Sequence, residues 1–296
     1  MLFPIISEAV TGNKVTVGPP FFNQVMRPIG LVLMLITGIC PLIAWRRATF
    51  ANLRKNFAYP ATAAVITLVL LLVFGMRHVW AVISFTLAAF VLATVTVEFV
   101  RGTLVRRQMS GENPAKALGS LTWRNKRRYG GYIVHAGVIL LLIGVTGSYA
   151  FKQEAKQTLA QGESLSVGKY ELTYDSFNSY NTDEKQVGEV TFTVTENGKY
   201  LATVKPVKEY YFNKDQPWTR IDRHSTLGRD VYVILLDYSA ETGEANVQVD
   251  INPLVSWLWV GGIVMAVGGI VAMWPDRREQ RRLAARYERQ ARLHEV

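Results

Sequence analysis

Trp123-Arg124-Asn125-Lys126-Arg127-Arg128-Tyr129-Gly130-Gly131-Tyr132-Ile133-Val134-His135-Ala136-Gly137 runs a basic cluster straight into an apolar segment, with one histidine just inside it. The apolar run continues over 132–150. That is close to the roughly 20 residues an α-helix needs to cross a ~30 Å hydrocarbon core. Four more blocks of comparable length lie near 27–45, 60–76, 79–100 and 254–274. The chain therefore reads as an α-helical integral membrane protein with about five transmembrane helices.

The formal net charge of +10 is spread in a way that sets topology. The segment 46–59 carries Arg46, Arg47, Arg54 and Lys55 and no acid, and 101–131 carries eight Lys or Arg against Glu112 alone. After Trp274 come seven Arg against four acids. Basic loops stay on the cytoplasmic side, so these three regions are expected there. The block 151–252, with 11 basic and 16 acidic residues, is then expected outside. Charge divided among loops does not form the single basic patch of a nucleic-acid binder, so no nucleic-acid partner is expected. The membrane lipids themselves are.

The domain reading follows. Residues 1–26 form an outside loop, rich in Gly and Pro at Thr11-Gly12-Asn13-Lys14 and Gly18-Pro19-Pro20. Residues 27–150 form a four-helix transmembrane region with cytoplasmic loops 46–59 and 101–131. Arg77-His78 makes a tight outside turn between the second and third spans, and Trp45 ends the first. Residues 253–274 form the last span and 275–296 a basic cytoplasmic tail, helical around Leu283-Ala284-Ala285. Met1–Ile6 lacks a basic start and a cleavage motif; it is no signal peptide and reads as the tail of a helix that begins upstream.

The block 151–252 has a β texture. Val190–Val194 alternates polar and apolar residues, Asn197-Gly198 follows, and Tyr200–Val207 continues: a hairpin pattern. Ser164–Tyr174, Val231–Leu236 and Ala245–Ile251 read as further strands. Some six strands in about 100 residues predict a small β-sandwich or barrel inserted between the last two spans. It has no cysteine, hence no disulfide framework. The one cysteine, Cys40, sits in the first span and reads as packing.

Ionisable residues inside spans are costly and mark functional candidates. At 100° per residue, Gly137, Gly144 and Ser148 lie opposite His135, a small-residue stripe that a neighbouring helix can approach closely. Gly131, Ile139 and Leu142 share the histidine's face. An apolar face with one imidazole suits a flat apolar cofactor carrying a metal; a hydrogen bond to a neighbouring helix is the other reading. Arg127 and Arg128 read as a topology anchor or as contacts to an acidic group of a cofactor or lipid. Glu98 reads as paired with Arg101, or as a proton relay. Trp257 and Trp259 open the last span and read as interfacial anchors or as a stacking surface. His78, His224 and His294 read as solvated.

Several of these segments resemble one family. Asn125–Gly137, Val17-Gly-Pro-Pro-Phe-Phe-Asn23, Glu98-Phe99 with Arg101-Gly102, and Trp257-Leu-Trp-Val-Gly-Gly262 look like CcmF, the heme-lyase membrane component of System I cytochrome c maturation. The resemblance covers nearly the whole chain and corresponds to the family's C-terminal part. It implies heme b held in the membrane by one histidine from each of two spans, with His135 as one axial ligand of the iron and Arg127, Arg128, Tyr132, Trp257 and Trp259 as further cofactor contacts. It implies a bacterial inner-membrane location, a periplasmic β domain, and work with an N-terminal CcmF portion, CcmH/CcmI-type subunits, the heme chaperone CcmE and apocytochrome c. The family's Trp-Trp-Asp segment and second membrane histidine are not found here. The chain is thus expected to be a C-terminal fragment or half of a split gene, with no catalytic residue of its own and no ligation activity alone. A non-catalytic scaffold of the maturation complex is the alternative. A permease-like subunit with an outside domain would need ionisable residues lining several spans, whereas His135 and Glu98 are the ones found within them.

Overall fold

A computed structural model describes residues 2–13, 18–43, 50–214 and 216–275. The chain divides into two compact units, Met1–Ile139 with Gly261–Val296, and Leu140–Val260. Trp45, Arg46 and Arg47, together with the tail helix expected over 277–296, lie outside the described residues.

The first unit is helical: α1 (Leu2–Thr11), α2 (Pro19–Ile39), a 3₁₀ turn (Cys40–Leu42), α3 (Phe50–Val73), α4 (Val79–Ser110) and α5 (Pro114–Arg124). It also holds the start of α6 (Lys126–Ala150) and most of α7 (Ser256–Met273). Five helices are long and apolar enough to cross a membrane: Phe21–Leu42, Arg54–Val73, Val79–Ser110, Lys126–Ala150 and Ser256–Met273. Large apolar side chains such as Val65, Ile66, Leu70 and Leu72 are exposed on α3. This suits a lipid-covered surface and would be a liability in water.

Helix boundaries differ from the sequence reading in three places. Residues 1–26, expected as a loop, contain α1 and the first turns of α2, with Pro at its opening position, where a missing N–H costs nothing. α4 runs ten residues past Val100, because 32 residues at 1.5 Å span about 48 Å, well beyond the hydrocarbon. Gly111 then stops it in the left-handed region (φ 66°), its N–H bonded to the Arg107 carbonyl. The expected loop 101–131 also holds α5, started by Asn113, whose Oδ1 accepts the Ala115 N–H at 3.2 Å. At the other end of α4, His78 accepts the Ala81 N–H on Nδ1; it is the N-cap rather than a purely solvated turn residue.

Glycines let the helices approach closely. A Cβ on Gly38 would strike the Phe90 ring and Val91 of α4. Gly130 and Gly137, seven residues apart, face Ala272 and Met265 of α7, also seven apart; a Cβ at either would come within 2.7 Å of backbone nitrogen. Gly268 of α7 answers against the Val134 nitrogen. Small residues draw helices together through dispersion where lipid removes the hydrophobic drive.

The second unit carries ten strands. β1 (Gln153–Leu159), β10 (Ala245–Pro253), β9 (Arg229–Tyr238) and β8 (Asp222–Ser225) form one antiparallel sheet in that order. β2 (Ser164–Val167), β3 (Tyr170–Asn181), β4 (Lys185–Glu196), β6 (Val207–Tyr211) and β7 (Trp218–Arg220) form the other, and β5 (Lys199–Val204) also pairs with β4. The long β4 pairs with β6 over Lys185–Glu189 and with β5 over Phe192–Glu196. Side chains alternate in and out along each strand. Leu172, Tyr174, Val190, Phe192 and Val194 from one sheet meet Val231, Val233, Leu235, Val247 and Val249 from the other in one core, the mark of a sandwich. The β4–β5 hairpin turns at Asn197 (φ 49°) and Gly198 (φ 76°), the left-handed pair that matches strand twist. Within this unit, Gly144 and Gly147 of α6 pack on Leu258 and Leu254.

Glu209 is buried in β6, 3.0 Å from Lys185 Nζ, and accepts the Tyr211 hydroxyl. The Lys185 ammonium holds this carboxyl below its usual range, against the opposing effect of burial. Such a group stabilises the fold above the ordinary carboxylate pKa of about 4.3, and the contribution is lost as pH falls through the depressed value.

Three outcomes test this architecture. Phe192→Ala, which empties a fully buried ring site, should cost the β domain about 3–5 kcal/mol in denaturant unfolding. Gly137→Leu should lower the thermal midpoint of the detergent-solubilised chain by several degrees, while Gly131→Ala, with nothing within 4 Å of the new Cβ, leaves it unchanged. Between about pH 4.5 and 3 the wild-type β domain should lose denaturant resistance more steeply than Glu209→Gln.

Candidate functional site

The only buried carboxylate among the described helices is Glu98, near the middle of α4 and 6% exposed. Arg128, at the start of α6, reaches it with Nη2 at 2.5 Å. Arg128 Nε donates to the Tyr132 hydroxyl at 3.1 Å, and that hydroxyl donates to Glu98 at 3.2 Å. The three groups close a ring of charge-assisted hydrogen bonds, the strong kind. Pairing of Glu98 with Arg101 is therefore corrected: Arg101 is exposed and donates to Asn56 Oδ1 at 3.1 Å, and Arg128 takes the carboxylate from another helix.

Aromatic rings roof this ring of bonds. Phe99 lies 5.0 Å from Tyr129 and 6.2 Å from Tyr132, and the two tyrosines meet edge to face at 5.7 Å. Val95 and Leu121 complete the cluster, with Ala136 against it. Gly102 is required beneath it: a Cβ there would collide with the Tyr129 hydroxyl and Leu121. The roles of Tyr129, Phe99 and Gly102 are absent from the sequence reading. Their signal was the spacing 98, 99, 102 on one helix against 128, 129, 132 on the next, each a single helical face.

His135 follows Tyr132 by three residues, about 4.5 Å further along α6. It is half-buried. Its Nδ1 is buried without a hydrogen-bond partner, and neither ring nitrogen is bonded among the described residues. Nε2 stays accessible, because it is not among the buried unpartnered atoms. The hydrogen-bonded alternative for this imidazole thus finds no partner here. The surrounding face is uneven: Gly131 opens onto free space, while Ile139, expected to share the open face, is fully buried.

These features test whether a heme fits. One imidazole with an accessible nitrogen, on an apolar helix and free of competing bonds, matches half of a bis-histidine site. No cluster of three His, Cys, Asp or Glu residues able to hold a bare metal ion occurs among the described residues. Of the other expected contacts, Arg128 and Tyr132 are joined through Glu98, and Arg127 is exposed at the start of α6. Trp257 and Trp259 belong to the other compact unit, half-buried and 70% exposed respectively.

Residues 150–253, which contain the β-sandwich, match the family model described as the CcmF C-terminal beta-sandwich. The cytochrome c-type biogenesis protein CcmF of Pseudomonas aeruginosa is 28% identical over 280 residues, covering 94% of this chain and 41% of that protein. The cytochrome c-type biogenesis protein ccl1 of Rhodobacter capsulatus is 29% identical over 290 residues, covering 96% of this chain and 42% of that protein. The chain thus spans about two fifths of the length of the curated relatives it matches. A solved structure titled cytochrome c heme lyase CcmF superposes on 93% of this chain and 42% of its own, with TM-score 0.71 at 23% identity, a likeness of fold. Through its sandwich domain, its sequence over nearly its whole length and its fold, this membrane chain is similar to the C-terminal part of the cytochrome c-type biogenesis protein CcmF.

Proposed function

We propose that this chain serves cytochrome c maturation by supplying His135 as one axial ligand of a membrane-embedded b-type heme, together with a β-sandwich on which assembly partners dock. The observation that carries this reading is the His135 imidazole, half-buried on an apolar helix with no hydrogen bond to either nitrogen. A b-type heme bound there supplies one-electron chemistry at iron. The chain's own residues do the rest: the ring around Glu98 anchors the start of α6 on α4, and the glycine contacts with α7 fix its rotation. His135 is thereby presented at a set depth and azimuth. Arg128 acts as a positioning residue, since its guanidinium is committed to Glu98 and Tyr132. Arg127 and the half-buried Trp257 remain proposed contacts; Trp259, largely exposed, fits an interfacial anchor better.

Basic segments hold the ends of α4 and α6 at the cytoplasmic side in this reading, which places the β domain in the periplasm of a bacterial inner membrane. His135 then lies toward the cytoplasmic face, remote from periplasmic thioether chemistry. It belongs to a resident, electron-handling heme rather than to the heme being attached. The second axial ligand comes from a CcmF portion outside this chain. CcmE, CcmH/CcmI-type subunits and apocytochrome c are the proposed partners. The scaffold alternative shares the docking role and lacks the heme.

The test is spectroscopic. The chain is co-expressed with the part of a CcmF protein that it does not align with, and the complex is purified in detergent. A b-type absorbance is expected, falling at least about tenfold in His135→Ala while the complex still elutes at the same size. An undiminished spectrum in that variant rejects the ligand and leaves the scaffold.

A further inference from the structure

At the basic end of the helical unit, a cleft of about 520 Å³ opens between α4, α5 and α6. Four guanidinium groups line it: Arg101, Arg106, Arg124 and Arg128. Two are neutralised within the chain. Arg128 pairs with Glu98, and Arg106 pairs with Glu112 at 3.2 Å, the same carboxylate accepting Ser120. Arg101 and Arg124 are exposed, and neither meets a carboxylate among the described residues. Arg101 bonds only the neutral Asn56, and Arg124 makes no hydrogen bond or ion pair among them. Two uncompensated guanidinium groups thus share one concave site.

The same cleft has an apolar lip. Val105 and Met109 line it and are 51% and 84% exposed, on the stretch of α4 that extends beyond the hydrocarbon span. A soluble anion gains nothing from that lip. A molecule with a phosphate at one end and hydrocarbon at the other satisfies both halves. Guanidinium groups bind phosphate oxygens in pairs through their planar fork. Basic pockets between transmembrane helices at the interface are places where anionic headgroups sit.

We infer that this cleft is a binding site for an anionic glycerophospholipid, its phosphate held by Arg101 and Arg124 and an acyl chain laid along Val105 and Met109. The site is separate from His135 and stands whether or not that residue ligates iron. Its consequence is mechanical. The lipid would bridge α4 and α5 beside the Glu98 anchor, coupling the seating of α6 to the membrane's anionic content.

The full chain, purified in detergent, is incubated with dioleoylphosphatidylglycerol, dioleoylphosphatidylcholine or inorganic phosphate, and bound species are counted by native mass spectrometry. Phosphatidylglycerol should be retained about tenfold better than phosphatidylcholine, and Arg101→Gln with Arg124→Gln should remove that preference. Lys199→Gln, an exposed change in the β domain, should leave it intact. Should the double glutamine variant melt early, Arg101→Lys with Arg124→Lys is read instead. It keeps both charges but loses the fork, and retention should fall severalfold. Equal retention of the two lipids, unchanged retention in the arginine variants, or displacement of the lipid by millimolar inorganic phosphate overturns the proposal.

Discussion

Glu98 cannot stand alone as a nearly buried carboxylate in an apolar helix, because an unpaired charge there costs several kcal/mol. Its pairing with Arg128 and Tyr132 is the contact on which the helical unit depends. The arrangement is asymmetric. The carboxylate side chain is 7% exposed and the guanidinium 59%. Arg128 keeps most of its hydration while solvating Glu98, so the pair avoids most of the penalty of burying two ions. The chain crosses from α4 to α6 through the short α5, and this bond is what returns the start of α6 to α4 in a fixed rotation. His135 inherits that rotation from Tyr132, one turn away.

The second determinant is steric. Gly130, Gly137 and Gly268 permit backbone-to-backbone approach between α6 and α7, with no room for a Cβ. A helix held on one side by such contacts and at its base by the Glu98 ring has little freedom to turn. An imidazole on it can be offered to an outside group with neither nitrogen committed to the protein. Leaving a buried Nδ1 unpaired costs about 1–3 kcal/mol. Rigid packing around the site is what sustains a cost of that size.

Much of this was legible in the sequence, and the failures share a cause. Spans reveal themselves by apolar length, and the β4–β5 hairpin by alternation ending in Asn197-Gly198. The stripe containing Gly137 and Gly144 was readable from helical geometry, though its partner, α7, was not. What escaped depended on pairing across the chain. Glu98 has Arg101 three residues away, a plausible partner locally, yet the carboxylate is claimed by Arg128 thirty residues on. Ser164–Tyr174 read as one strand but reverses at Gly168, whose φ of +61° needs no tolerance from a side chain. Tyr200–Val207 divides into β5 and β6, between which Pro206 cannot donate to a ladder. β7 and β8 are too short to show a period. α5 was hidden inside a charge-rich loop, although Asn113-Pro114 announces a helix start.

The claim that this chain supplies an iron ligand can be examined at the iron itself. The chain is produced with heavy-nitrogen histidine, its three other histidines replaced by asparagine, and is assembled with an unlabelled complementary CcmF part. Electron–nuclear double resonance is then recorded on the ferric low-spin heme. Ligation by His135 predicts a strong heavy-nitrogen hyperfine coupling alongside one from an ordinary-nitrogen axial ligand. A spectrum with ordinary-nitrogen couplings alone contradicts it.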